Sequence, residues 1–198
     1  MKKLIALTLA LLMALSFALV GCGKNDDDKE KDGDTSSKAE DVAKAYVTAY
    51  GEGNFKKAEG YVLLSIQQSL EAAAKQNDLT VDDYLESVFG VSNVNEFLDQ
   101  YEELFKAAME EEFGENVKCS IEGVKEVDEY SSEKLENFKK NYKSNFDEYG
   151  LDIDKVDAVT DVTLEATLSG SKKTETDDDI SITVVKYNGD WKVLETED

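Results

Sequence analysis

Two cysteines, Cys22 and Cys119, carry the most distinctive chemistry in this chain, and their surroundings assign them different roles. Cys22 follows Leu19, Val20 and Gly21 at the close of an apolar stretch from Leu4 to Val20, which Lys2 and Lys3 lead. A cationic start, an apolar core and small residues at the end are the parts of an export signal. Cys119 sits in the alternating run Val117, Cys119, Ile121, with Lys118 and Ser120 between, so it should point inward as a small hydrophobe. The chain contains no His and no Arg. Ser/His/Asp and Cys/His nucleophile systems, imidazole bases and histidine metal ligands are thereby excluded, as is bidentate guanidinium clamping of phosphate or carboxylate. No cofactor fingerprint is present.

Carboxylates are abundant, but their spacing argues for solvation over chemistry. Asp28, Glu30, Asp32, Gly33 and Asp34 follow the first half of a calcium loop, yet Ala39 stands at the twelfth place where a bidentate Glu is required. Asp177, Asp178 and Asp179 are consecutive and cannot all converge on one ion from a hairpin loop, so no metal is expected. An acid–base pair is conceivable from Tyr142 or Tyr149 with Asp161 or Glu165, since a carboxylate in an apolar pocket has a raised pKa. The tyrosines, however, fall on the apolar stripe of a helix and the acids on the polar face of a strand. Core tyrosines and solvated acids are the simpler assignment.

The run Leu19, Val20, Gly21, Cys22 resembles the lipobox of bacterial lipoproteins, in which cleavage before the cysteine makes the acylated residue the mature N-terminus. That resemblance implies a signal peptide over residues 1–21 and a protein held on the outer face of the cell membrane by acylated Cys22, with two or three chains securing it stably. Removing residues 1–21 leaves 20 Lys against 44 acidic residues, a net charge of −24. Nucleic acid is excluded as a partner, because phosphate binding needs a basic stripe. Residues 22–38 comprise the lipidated cysteine and a polar tether, which spans roughly 20 to 25 Å as a flexible chain. A single α+β domain is expected over 39–198.

The elements that must position any site follow from periodicity. Val42, Ala45, Tyr46, Ala49 and Tyr50 recur at helical spacing before Gly51 and Gly53. Asn54 then caps a second helix that takes Phe55, Ala58, Val62, Ile66 and Ala73 inward. A third follows Thr80 with Val81, Tyr84, Leu85, Val88 and Phe89. The fourth begins at Asn93 and buries Val94, Phe97, Leu98, Tyr101, Leu104, Phe105, Ala108 and Met109, ending near Gly114. The period then changes to two. A strand from Val117 to Val127 precedes a helix from Ser131 or Ser132 to Gly150, and Val162 to Leu168 forms a second strand. After a polar loop from Ser169 to Asp179 comes a strand through Ile180, Ile182 and Val184, which an Asn188–Gly189 turn of type I′ joins to Trp191 through Leu194. Helices first and an antiparallel meander last predict an α+β fold, its helices packed on a C-terminal sheet of about four strands. Val185, Tyr187 and Leu194 fall on the face opposite Val184, Trp191 and Val193. Unless helices cover them, they are the candidate partner surface.

Ala45, Tyr46, Ala49, Tyr50, then Gly53, Asn54, Phe55 and Ala58, together with Val184, Lys186, Asn188, Gly189, Trp191, Lys192 and Val193, resemble small Gram-positive lipoproteins carrying a nuclear-transport-factor-like or cystatin-like domain. The resemblance covers the two ends of the domain, about a third of it, and implies a cone-like α+β fold. That kind of fold hosts enzymes and plain binding modules alike. The expectation is a non-catalytic binding module for an envelope protein or a small, partly apolar ligand. The alternative is a histidine-free hydrolase or isomerase using a Tyr/carboxylate pair.

Overall fold

The computed structural model describes residues 35–197, and the side chains of 37–194. Among the described residues five helices come first: α1 (Thr35–Gly51), α2 (Phe55–Glu59), α3 (Ile66–Gln76), α4 (Val81–Phe89) and α5 (Val94–Phe113). Then follow β1 (Lys118–Glu129), α6 (Ser132–Glu148), a 3₁₀ turn (Ile153–Lys155), β2 (Val156–Ser169), β3 (Thr174–Tyr187) and β4 (Asp190–Glu197). The four strands form one antiparallel sheet in sequence order. The fold is α+β, with the helices N-terminal and the sheet C-terminal.

Helix starts obey local chemistry. The side chains of Asn54, Thr80, Asn93 and Ser131 each accept a backbone N–H three residues on, and Ser65 with Gln68 makes a reciprocal capping box. The β3–β4 turn places Asn188 at φ 51° and Gly189 at φ 89°, the left-handed pair that a two-residue hairpin needs.

Each sheet face has its own core. Ala39, Ala43 and Val47 of α1 lie against Cys119, Val162, Leu164, Ile182, Val184, Trp191 and Val193. Small residues at four-residue spacing let α1 sit close to all four strands. On the other face, Phe138 and Phe146 of α6 pack with Leu63, Ile153, Val156, Val159 and Val185. A third cluster, Leu70, Leu85 and Val91 with Ile66, Tyr84, Phe89 and Phe97, holds α3, α4 and α5 together.

Several expectations are corrected. The second predicted helix is two, because Gly60 ends α2 and residues 61–63 run extended: Val62 bridges Val193 in parallel, Leu63 N–H donates to Val193 O and Val193 N–H to Tyr61 O, both at 2.8 Å. Edge pairing of β4 outweighs helix continuation there, since it satisfies an otherwise open strand edge. Helix α1 includes Thr35–Lys38, inside the segment assigned to the tether. Asp177, Asp178 and Asp179 belong to β3 and not to a loop, which shrinks to residues 170–173. Leu104, expected to be buried, is 53% exposed.

The C-terminal end of α5 is locked to the β2–β3 hairpin. Phe113 O accepts N–H groups of Lys172 and Lys173, and Lys172 Nζ donates to the carbonyls of Glu110 and Glu111 at 3.2 Å. These cations stand where the helix dipole is negative and the helix's own last turn has no basic residue.

Candidate ligand cleft

Beside the tip of the β3–β4 hairpin three short pieces of backbone leave a cleft of about 450 Å³. The first turns of α1 supply Lys38, Asp41 and Val42, the α2–α3 connection supplies Gly60 and Tyr61, and the hairpin supplies Gly189, Asp190, Trp191 and Lys192. Each piece is held independently of any ligand. The hairpin is set by its Asn–Gly turn, and residues 60–61 are pinned to β4 by the Val193 pairing and by Lys192 Nζ, which donates to Gly60 O at 2.7 Å. The cleft is open to solvent along much of its extent.

Trp191 lines the cleft and is the chain's single tryptophan. It is 9% exposed, and its enclosed indole N–H has no acceptor among the described residues. A buried donor without a partner costs about 1–3 kcal/mol, so such groups call for explanation. Two lysines and two aspartates share the lining with Trp191, Tyr61 and Val42. The cleft therefore offers an aromatic and aliphatic surface edged by both signs of charge.

The predicted sites fare differently. Leu19, Val20, Gly21 and Cys22 lie outside the described residues, as do Asp28, Glu30, Asp32 and Gly33. The surface predicted at Val185, Tyr187 and Leu194 is corrected: α6 lies over it, Val185 is fully buried and the other two are packed against the same cluster. Tyr187 instead accepts the N–H of Asp152 at 3.1 Å through its hydroxyl, closing the turn after α6. Cys119 is buried, its Sγ 3.7 Å from Val47 O, and burial pushes the thiol up to about 11, with Glu52 adding to the rise.

Tyrosine and carboxylate do meet at the predicted Asp161, through a tyrosine other than those predicted. Asp161 accepts from Thr183 Oγ1 at 2.7 Å and from the Tyr130 hydroxyl, on the α6 side of the sheet. Burial raises its carboxyl above the ordinary 3.8; the two hydroxyls and Lys134 oppose the rise and Asp128 adds to it. Lys134 also pairs with Asp128 and lies 4.5 Å from the Tyr130 ring centroid. Tyr142 stacks on Phe138 and Glu165 pairs with Lys125 at 2.5 Å, so neither joins Asp161. Tyr149 caps the C-terminus of α6. No sequence signal marks Tyr130, because its approach to Asp161 depends on β1–β2 register.

A second polar group lies between α1, α2 and α5. Tyr50 and Tyr101 are hydrogen-bonded, Tyr46 stacks 5.9 Å from Tyr50, and Phe55 meets Tyr101 and Phe105 edge-on at 4.5 and 4.8 Å. Burial is the main cause that raises the Tyr46 and Tyr101 hydroxyls. Glu59 Oε2 accepts the N–H of Ile66 at 2.7 Å, the start of α3, while burial raises its carboxyl. Satisfied aromatic packing of this kind holds the helices in place.

Among the described residues no helix is long and apolar enough to cross a membrane. No protein-family model, curated protein or solved structure matches the chain.

Proposed function

We propose that this protein is a lipoprotein anchored through acylated Cys22 outside the cytoplasmic membrane, and that its α+β domain binds a small, partly apolar ligand without catalysis. The observation that carries the binding reading is the open cleft beside the β3–β4 hairpin, where Trp191 and Tyr61 lie among two lysines and two aspartates. Burial of Val185, with Tyr187 and Leu194 half-buried against the same cluster, turns the choice away from a protein partner on that face. The lipobox-like Leu19, Val20, Gly21, Cys22 supports the anchor, and the resemblance to nuclear-transport-factor-like lipoproteins agrees with a binding domain.

Trp191 reports the cleft directly, being the only indole. Small-molecule fractions from the producing cell, titrated against the full chain in detergent, should contain one that shifts its emission, and Tyr61→Ala should weaken the response. Emission that no fraction moves would sink the binding reading. For the anchor, Cys22→Ser should abolish labelling by a radioactive fatty acid and leave unprocessed precursor; undiminished labelling would sink it.

One observation favours a second reading. Asp161, raised by burial and bonded to the Tyr130 hydroxyl, has the makings of a histidine-free acid–base pair. It lies on the α6 side of the sheet, while Trp191 belongs to the α1 side. A hydrolase or isomerase activity lost in Asp161→Asn, with the fold intact by circular dichroism, would favour that reading over plain binding.

A further inference from the structure

Among the described residues the exposed large apolar side chains are Tyr50, Leu79, Val88 and Leu104, all in the N-terminal helical part and none on the sheet or α6. Two of them belong to one surface. Leu104 and Ala108 stand four residues apart on α5 and so lie on one line of the helix. Phe105, three residues before Ala108, continues that surface to Tyr50, whose ring centroid is 5.6 Å away. Phe105 and Ala108 are half-buried, so part of this surface faces solvent.

Charge marks out the same ground. Lysines of this chain neutralise three acids of α5: Lys56 pairs with Asp99, Lys106 with Glu102 and Lys173 with Glu112. Glu103, Glu110 and Glu111 are exposed, and no lysine of the described residues pairs with their carboxylates. Helical spacing puts Glu103 and Glu110 on one line, beside Leu104 on the side away from Phe105, and Glu111 two turns beyond Leu104. An apolar strip thus runs beside a rail of unneutralised carboxylate. The helix that carries both is held firmly, by Tyr101 and Phe105 against Phe55 and by the β2–β3 hairpin at its end, so presenting this face costs no ordering.

We propose that this face of α5 docks a helix of another protein, one whose apolar line is flanked by lysine or arginine. The apolar side chains of that helix cover Leu104, Ala108 and Phe105, and its cations meet Glu103, Glu110 and Glu111. A second copy of this chain is the wrong occupant, because it would set carboxylate against carboxylate in a chain of net charge −22. An anionic bilayer is repelled for the same reason. The face shares no residue with the cleft and does not depend on it.

The probe is a fluorescein-labelled amphipathic peptide of leucine and lysine, offered to the full chain in neutral-lipid nanodiscs, with empty discs as the blank. Carbodiimide couples peptide lysines to the carboxylates they touch, and mass spectrometry should place the adducts on Glu103, Glu110 and Glu111. Leu104→Ala should weaken binding about tenfold, as loss of a central apolar anchor does. Glu103→Gln, Glu110→Gln and Glu111→Gln together should weaken it at least as much. Asp177→Asn, Asp178→Asn and Asp179→Asn make the same change of charge on β3 and should leave binding nearly unaltered. Equal losses from the two triple variants, or adducts spread over the whole surface, would reduce the effect to the general field and overturn the proposal. So would equal binding of a peptide with glutamate in place of lysine, or no binding above the blank by a chain folded by circular dichroism. Self-association that Leu104→Ala abolishes, read by sedimentation, would give the face to a second copy and overturn it too.

Discussion

Replacing Phe146 by alanine tests whether α6 seals the second sheet face. The ring is 1% exposed and packs among Ile153, Val156, Val159 and Val185, with the Tyr187 ring centroid 6.3 Å away. An aromatic side chain buries about 150 Å² or more, and at ~25 cal/mol per Å² its removal costs about 4 kcal/mol, in line with measured Phe→Ala losses of ~3–5 kcal/mol. Set against a typical total of ~5–15 kcal/mol, that is a large share. For a domain of this size the melting temperature should fall by about 8 to 16 °C. Guanidinium unfolding read by Trp191 emission is the appropriate assay, because Trp191 belongs to the opposite face and reports loss of the whole sheet. Far-ultraviolet circular dichroism should give the same midpoint. Leu104→Ala on the exposed side of α5 is the reference and should change stability by less than about 0.5 kcal/mol. If Phe146→Ala costs no more than Leu104→Ala, α6 does not cover the face, and Val185, Tyr187 and Leu194 return as an open surface.

Three further outcomes follow from the geometry. A Cβ on Gly170 would lie 2.4 Å from Phe113 O, a backbone atom that cannot yield cheaply, so Gly170→Ala should destabilise by about 1–3 kcal/mol. Gly123→Ala meets nothing within 4 Å and should be neutral or slightly stabilising; similar losses for both in thermal unfolding would contradict the hairpin–helix lock. Asp161 titrates above its ordinary 3.8 in the fold, so its contribution favours the folded state below about pH 4 and is lost as pH rises through the raised value. Asp161→Asn should accordingly match the native chain near pH 4 and gain on it towards pH 7 in denaturant midpoints; a variant that loses ground as pH rises would reverse the sign. Cys119, pushed up to about 11, has about one thiolate in a thousand at pH 8, so maleimide should label it far more slowly in the folded chain than in guanidinium. Equal rates would place the thiol at the surface.

Much of the architecture was legible in residue order, because its signals are local. Asn54, Thr80, Asn93 and Ser131 cap because a side-chain oxygen reaches an N–H three residues away. Asn188 and Gly189 turn the chain because they tolerate positive φ. The alternation around Cys119 and from Val162 to Leu168 sent the right side chains into the α1 core, since a strand's period is two. Misreadings arose where a distant element competed. Residues 61–63 keep an apolar helical pattern yet pair with β4, and the signals that marked the break were Gly60 and the Ser65–Gln68 box.

What the sequence by itself determined is therefore the identity and polarity of nearly every element, the inward course of Cys119, and the exclusion of histidine and arginine chemistry. The acylation of Cys22 is an inference from Leu19 to Cys22 and the segment before them, and rests on those residues alone. Tertiary structure decided which elements meet. It laid α6 over Val185, joined Asp161 to Tyr130, and gathered Lys38, Tyr61 and Trp191, far apart in the chain, around one cleft. Periodicity sets which way a side chain faces, whereas the partner it faces is set by packing between segments remote in sequence, which local patterns do not encode.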